Sequence, residues 1–278
     1  MKFSFLIENK TEREGILAEH GLSIYIESHG KKILFDAGPT DHFAQNAQAM
    51  KIDLSQVDFA VASHGHYDHT GGFPRFCEIN AKAPIYIHKN AFRKSYGYEN
   101  GVMDKETCGI RWTDEQREAI ADRLVLTEGP VEITPDIIVT GTVPIGDDFK
   151  PTERFSYYLE DGTLVDDDMT HEQCLIISDP EGIYIFSGCS HRGVLNALEF
   201  GKSMFPGERV AALIAGMHLY SATAEDRKRV VDAVENEHLD KVMPVHCTGI
   251  KAICDLKARL GDSCMVATAG DVYDGSDR

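Results

Sequence analysis

Long hydrophobic runs are missing from this chain. No stretch approaches the roughly 18 apolar residues a membrane-spanning helix needs, and the opening MKFSFLIENK turns polar too soon for a secretory signal. Paired cysteines are missing too. The seven Cys are odd in number, irregularly spaced and contain no C-x-x-C, which argues against a disulfide framework and for a reduced, cytoplasmic setting. Positive charge is scarce: 28 Lys and Arg stand against 45 Asp and Glu, a net charge of −17. Such an excess repels phosphate backbones and excludes a sequence-independent grip on nucleic acid. A small anionic substrate stays open, because a metal ion or a local basic cluster reverses the field inside a cleft. There is no low-complexity tract, no solenoid-period repeat and no linker.

What remains is an ordinary globular composition, 42% apolar and 26% charged over 278 residues, long enough for a full core. Strands are predicted at 3–7, 22–26, 32–36, 57–62, 83–88, 137–140, 174–178, 183–187, 210–215, 241–245 and 265–267. Helices are predicted from Phe43 to Met50, from Val194 to Met204, from Ala224 to Glu237 and from Ile250 to Leu260, where apolar residues recur at helical spacing. Strands dominate the first half and alternate with helices later, so one α/β (α+β) domain over residues 1–278 is expected, with mixed sheets and helices outside. Residues 89–120 are polar, Gly-bearing and weakly periodic, and read as an insertion that forms a lid.

Twelve His are present, and the sharpest motif is Ser63-His64-Gly65-His66-Tyr67-Asp68-His69-Thr70-Gly71-Gly72, directly after an apolar strand. His64 and His66 are two apart, so on extended backbone they point the same way. Imidazole and carboxylate ligands suit zinc, iron or manganese. Three later His also follow strands: His191 in Ser187-Gly188-Cys189-Ser190-His191-Arg192-Gly193, His218 in Ala215-Gly216-Met217-His218-Leu219, and His246 in Pro244-Val245-His246-Cys247-Thr248-Gly249.

The H-x-H-x-D-H motif resembles the signature of the metallo-β-lactamase-fold metallohydrolase superfamily. The run Ile33-Leu34-Phe35-Asp36-Ala37-Gly38 is similar to that fold's early strand. The three later segments and Glu19-His20-Gly21-Leu22-Ser23 resemble a branch labelled dihydropterin-ribofuranosylaminobenzene phosphate synthase-like. The resemblance implies a four-layer αββα sandwich of two mixed sheets. It also implies two divalent metal ions, zinc first and manganese or iron as alternatives. Their expected ligands are His64, His66, Asp68, His69, His191 and His246. The superfamily carries Gly-Asp where this chain has Gly188-Cys189, so the bridging Asp is replaced; His191 is the preferred substitute and Cys189 its competitor, against a buried-hydrophobe role for Cys189.

Two ions would acidify a water into a hydroxide nucleophile, with Asp68 orienting it and His218 as proton donor, although a ligand or structural role for His218 stays open. Asp36 is expected to support a ligand His from behind, or to cap a turn. His20 is placed at the rim, His171 on the surface, and His29, His42, His88 and His238 among ordinary surface or packing residues. Arg75, Lys89, Arg93, Lys94 and Arg111 could form an anion pocket, Arg93 and Arg111 foremost, or simply a solvated face. Tyr67, Tyr96, Tyr98 and Trp112 could stack on a planar substrate or pack the insertion.

The main expectation is therefore a hydrolase of a small phosphorylated or ester-type molecule. The alternative is a metal-dependent synthase or transferase joining a phosphoribosyl compound to a pterin-like partner. A third reading is a non-hydrolytic redox or sensor protein. A homodimer, one insertion closing the other subunit's cleft, stays open.

Overall fold

In the computed structural model, which describes residues 1–146, 151 and 153–275, the chain builds one sheet and then the other. The first half supplies β1 (Lys2–Ile7), β2 (Ser23–Ser28), β3 (Lys31–Phe35), β4 (Phe59–Val61), β5 (Ile85–His88), a small hairpin of β6 (Tyr98–Glu99) and β7 (Val102–Met103), and β8 (Leu124–Thr127). After β8 the chain crosses to β9 (Val131–Thr134) and β10 (Ile137–Val139). A second small hairpin, β11 (Ser156–Tyr158) with β12 (Leu164–Asp166), precedes β13 (Cys174–Asp179), β14 (Gly182–Ser187), β15 (Val210–Ala215), β16 (Val242–Pro244) and β17 (Val272–Asp274). The first sheet runs β17-β1-β2-β3-β4-β5-β8 and the second β16-β15-β14-β13-β10-β9. Both are mixed: β3, β4, β5 and β8 are parallel in one, and β14, β15 and β16 in the other.

Side-chain alternation along the strands explains how the sheets stack. Ile24 and Ile26 of β2, Ile33 and Phe35 of β3, Leu175 and Ile177 of β13, and Tyr184 and Phe186 of β14 share one buried cluster between the sheets. Their neighbours point outward. Tyr25 and Leu34 meet Phe43 and Ala47 of α1 (His42–Ala49) and Phe73 and Phe76 of α3 (Phe73–Ile79). Ile176, Ile183 and Ile185 meet α5 (Val194–Met204), α6 (Ala224–Asn236) and α7 (Ile250–Leu260). Three apolar interfaces separate four layers, which is the expected αββα sandwich. Each fully buried large side chain contributes about 1.5–3 kcal/mol. Two shorter helices are α2 (Tyr67–Thr70) and α4 (Asp114–Ile120), the latter opened by a Thr113/Gln116 capping box.

Several expectations need correction. The strand expected at 265–267 does not form; Met265 N–H bonds to Val242 O, and the edge of the first sheet is β17, which pairs with β1. The edge strands β8 and β9 and the hairpin β11–β12 carry too few buried residues for a period to show in the sequence. Helix α3 starts with Pro74 in its first turn, directly after the glycines of the histidine motif. Among the described residues no helix is long and apolar enough to cross a membrane.

Candidate metal centre

Five strands deliver the centre from their C-terminal ends: β3 leads into Asp36, β4 into Ser63 and His64, β14 into Cys189 and His191, β15 into His218, and β16 into His246. The turns are tight enough that Asp36 (φ 56°), Ser190 (φ 53°), His218 (φ 49°) and His246 (φ 47°) adopt left-handed backbone, a conformation that costs non-glycine residues on the order of 1–3 kcal/mol each. Two buried carboxylates hold these turns. Glu172 accepts the N–H groups of His191 (2.6 Å) and Arg192 (2.7 Å), and Glu8 accepts that of His246 (2.6 Å). His66 sits on extended backbone at the start of α2, whose single turn carries Asp68 and His69.

The imidazoles are oriented from behind. His64 Nδ1 meets Ser63 Oγ at 2.9 Å, His69 Nδ1 meets Asp36 Oδ2 at 2.6 Å, and His246 Nδ1 meets Asn9 Oδ1 at 2.7 Å. His218 Nδ1 lies 2.6 Å from Glu153 Oε2, a close ion-pair distance without hydrogen-bonding alignment. The opposite nitrogens face one another. Among the described residues the buried Nε2 atoms of His64, His66 and His191 have no hydrogen-bond partner, and that of His246 lies 3.1 Å from Asp68 Oδ2 without hydrogen-bonding alignment. Buried polar atoms are rarely left so.

Ring centroids of His64 stand 4.6 Å from His66, 4.2 Å from His69 and 5.0 Å from His191. His69 and His246 are 4.9 Å apart. Ligand atoms of His64, Cys189 and His191 lie within 4.8 Å of one another, as do those of His69, Cys189 and His246, of Cys189, His218 and Cys247, and of His20, Asp68 and His246. Cys189 Sγ is 3.2 Å from His69 Nε2. His20 is half exposed at the rim, 3.3 Å from Asp68.

Burial and crowding by neighbouring imidazoles hold His64 and His191 well below the usual histidine range. Burial, with His171 next, brings His66 down to about 3. At His69 burial pulls the same way, but Asp36 and Asp68 overcome it and raise the group to about 9. Burial would raise Asp68, yet His69, His20 and His246 hold it well below the carboxylate range. Burial, with Cys247 beside it, pushes the Cys189 thiol well up. At Cys247 burial is outweighed by the Cys189 hydrogen bond and by His218 and His246, which bring it down to about 6.

His171, expected on the surface, is buried: its Nδ1 accepts the Gly65 N–H at 3.1 Å and its ring lies 5.9 Å from that of His66. The start of β13 tucks it beneath the first motif. Arg93 is tied to Asp168 at 2.9 Å and stacks on Tyr157, while Arg111 lies over Tyr67. Arg75 and Lys89 pair with Glu78 and Glu128. A cavity of 530 Å³ reaches His191, walled by Glu153, Arg154, Phe155, Asp167, Asp168 and Arg192 among others, with no residue of 89–120. The Phe155 ring lies 4.9 Å from His66 and 5.0 Å from His191. A larger cavity, 730 Å³ around Tyr25, contains none of the histidines. Residues 89–120 instead brace the first motif: Tyr67 N–H bonds Cys108 O, and Trp112 Nε1 bonds Thr70 O at 2.8 Å.

Sequence reasoning missed Glu8, Asn9, Glu153, Glu172 and Cys247. Only Cys247 carried a signal, its place next to His246.

A sequence profile of the metallo-beta-lactamase superfamily matches residues 17–194. The chain is 34% identical over 245 residues to a Methanocaldococcus jannaschii protein named 7,8-dihydropterin-6-methyl-4-(beta-D-ribofuranosyl)-aminobenzene-5'-phosphate synthase, covering 84% of this chain and 83% of that one. It is 30% identical over 121 residues to the anaerobic nitric oxide reductase flavorubredoxin of Aliivibrio salmonicida, 42% of this chain but 23% of that protein. A crystal structure described as a metal-dependent hydrolase of the beta-lactamase superfamily superposes over the whole of both chains, with a TM-score of 0.82 and 27% identity.

Proposed function

The chain belongs to the metallo-beta-lactamase superfamily, and on that premise we propose that it is a metal-dependent enzyme joining a phosphoribosyl compound to a pterin-like partner. The observation that carries the metal part is the convergence of His64, His191 and His246, whose buried Nε2 atoms have no hydrogen-bond partner, on Cys189, with Asp68 beside His246. Nitrogen, carboxylate and thiol donors at this density fit divalent transition ions, zinc foremost and manganese or iron as alternatives. The similarity to the M. jannaschii synthase, across most of both chains, supports the joining reaction.

In this reading His64, His66 and His191 would hold one ion and Asp68, His69 and His246 the other. When bound, such ions supply Lewis acidity toward a phosphoryl or carbonyl oxygen and acidify water. The protein does the rest. Asp36, Ser63 and Asn9 fix the imidazole tautomers so that each Nε2 faces inward. His218, with Glu153 at its Nδ1, holds and delivers a proton at Nε2. Phe155 closes the apolar side and limits water. The arginines of the cavity wall are already engaged: Arg154 with Asp166 at 2.7 Å, Arg192 with the carbonyls of Val143 and Asp168. Any ions held at these positions would then be the nearest uncommitted positive charge for a substrate phosphate. Residues 89–120 act as a lid at one remove, carrying the β11–β12 hairpin through the Tyr96–Ser156 bridge. Seven unpaired cysteines suit a reduced, cytoplasmic setting, and a homodimer remains part of the proposal.

Hydrolysis of a small phosphorylated or ester-type molecule is the second reading, favoured by the superposition on the hydrolase. The test is direct. Protein purified without added metal is assayed for metal content, then offered a dihydropterin with a leaving group on its 6-methyl carbon plus 4-(β-D-ribofuranosyl)aminobenzene 5′-phosphate. A metal-dependent joined product, seen by mass, is the expected result. Cleavage of a chromogenic phosphodiester with no joined product would establish the hydrolase instead.

A further inference from the structure

We infer that the single sulfur of Cys189 is a thiolate shared by both metal positions, so that this protein builds a sulfur-bridged centre where its superfamily places a carboxylate. The inference rests on the two-metal reading above and adds the identity of the bridge.

Two groups of ligand atoms carry it. Cys189 lies within 4.8 Å of His64 and His191 on one side and of His69 and His246 on the other. A carboxylate can give one oxygen to each of two ions, but a cysteine has a single ligand atom. Belonging to both groups therefore means bridging. The rings of His64 and His69, one from each group, are 4.2 Å apart, so the two positions are adjacent, as a one-atom bridge requires. The local backbone is shaped for this approach. A Cβ at Gly188 would fall 2.1 Å from Ser63 Oγ and 3.2 Å from His64 Nδ1, so only glycine lets the end of β14 close onto the end of β4. That contact sets the next side chain, Cys189, between the two sets of imidazoles. Its sulfur is buried.

Cys247 is the rival sulfur, and its contacts argue against it. Its Sγ accepts the His218 N–H at 3.3 Å and reaches Cys189 O at 3.7 Å. Among the described residues it groups with Cys189 and His218, and not with His64, His69, His191 or His246. Cys247 thus stabilises the turn that carries Cys189 and His218 rather than serving either metal position. Binding replaces the S–H bond of Cys189 with S–metal bonds and releases one proton to solvent. A thiolate at the centre of both positions also favours zinc, cobalt or cadmium over manganese or magnesium.

X-ray absorption on the zinc-loaded full chain tests this without turnover. Zinc–sulfur scattering at about 2.3 Å, beside nitrogen and oxygen at about 2.0–2.1 Å, should amount to one sulfur per zinc. Cys247→Ala should leave that value unchanged. Cys189→Asp should remove the sulfur while two zinc ions remain. The cobalt-loaded protein should show a sulfur-to-cobalt charge-transfer band in the near ultraviolet, lost in Cys189→Asp alone. Half a sulfur per zinc would make Cys189 a terminal ligand and overturn the bridge. A fall to half in Cys247→Ala would mean two terminal sulfurs and would overturn it equally. Fewer than two zinc ions in the unaltered protein, counted before any spectrum, would sink the two-metal reading itself. The absorption measurement on the unaltered chain needs no variant, so a misfolded Cys189→Asp would not shelter the inference.

Discussion

Replacing Asp36 by Asn isolates the charge that stands behind the metal centre. Asp36 is fully buried and accepts from Ser63 N (2.7 Å), from Ser63 Oγ (2.7 Å) and from His69 Nδ1 (2.6 Å). In metal-free protein burial opposes the His69 charge, but Asp36, with Asp68 next, lifts the imidazole from 6.5 to about 9. A raised folded-state value gives stability that is complete below the unfolded value and is lost as pH climbs through the folded one. The window is therefore roughly pH 6.5 to 9, and the whole shift corresponds to about 3 kcal/mol at about 1.4 kcal/mol per unit. Asp36 is the first of the two carboxylates that raise His69. Losing a charged acceptor for Ser63 adds about 2 kcal/mol at any pH. Asp36→Asn should thus cost about 2 kcal/mol near pH 9.5 and more near pH 6, by up to the about 3 kcal/mol of the whole shift. Urea unfolding of both metal-free proteins measures it. Cys247, held near 6, titrates in the same window, so the difference between the proteins, not either slope, is the observable. An equal gap at both pH values would refute the imidazolium–carboxylate pair.

His66→Ala should leave the sandwich intact, since the residue belongs to a turn, yet abolish metal loading and turnover. Zinc at a hundredfold excess over Kd should stabilise the unaltered protein by about 2.7 kcal/mol and the variant far less; an active, metal-replete variant would end the assignment. Glu153→Gln should lower kcat about tenfold or more with little change in KM. Burial lowers His218 and the Cys247 and Glu153 charges outweigh it, so the pH-rate limb belonging to His218 should move to lower pH, and an unmoved limb would remove His218 from proton transfer. Trp112→Phe deletes the bond to Thr70 O and should cost about 1 kcal/mol in a denaturant titration; no loss would mean that the insertion does not brace the histidine motif.

Strands were readable where both faces are buried, because such a strand is a near-continuous apolar run, as at Ile24-Tyr25-Ile26, whereas the stacking of the layers was implied only by the resemblance to the superfamily. Edge strands such as Leu124–Thr127, with Val125 and Leu126 exposed, obey no such constraint and went unseen. The dense His64–His69 motif was legible because its ligand types crowd within six residues. Of the supports of the centre, Asp36 was anticipated and the distant ones were not: Glu8 reaches His246 across 238 positions of sequence, and nothing local distinguishes it from a surface glutamate. His171 misled for a related reason. An acidic stretch around Asp166–Asp168 reads as solvent-facing until Ser95 and Arg93 are seen to tie it down.

The reach from Glu8 to His246 also orders events in time. A ribosome delivers the His64–His69 motif well before His246. Until that turn docks on Glu8 and Asn9, the second group of ligands is open on one side, and the growing polypeptide offers passing ions a partial chelate rather than a centre. On the proposed reading, metal selection therefore waits until β16 has joined its sheet, when the finished pocket, not an isolated H-x-H-x-D-H segment, would decide which ion stays.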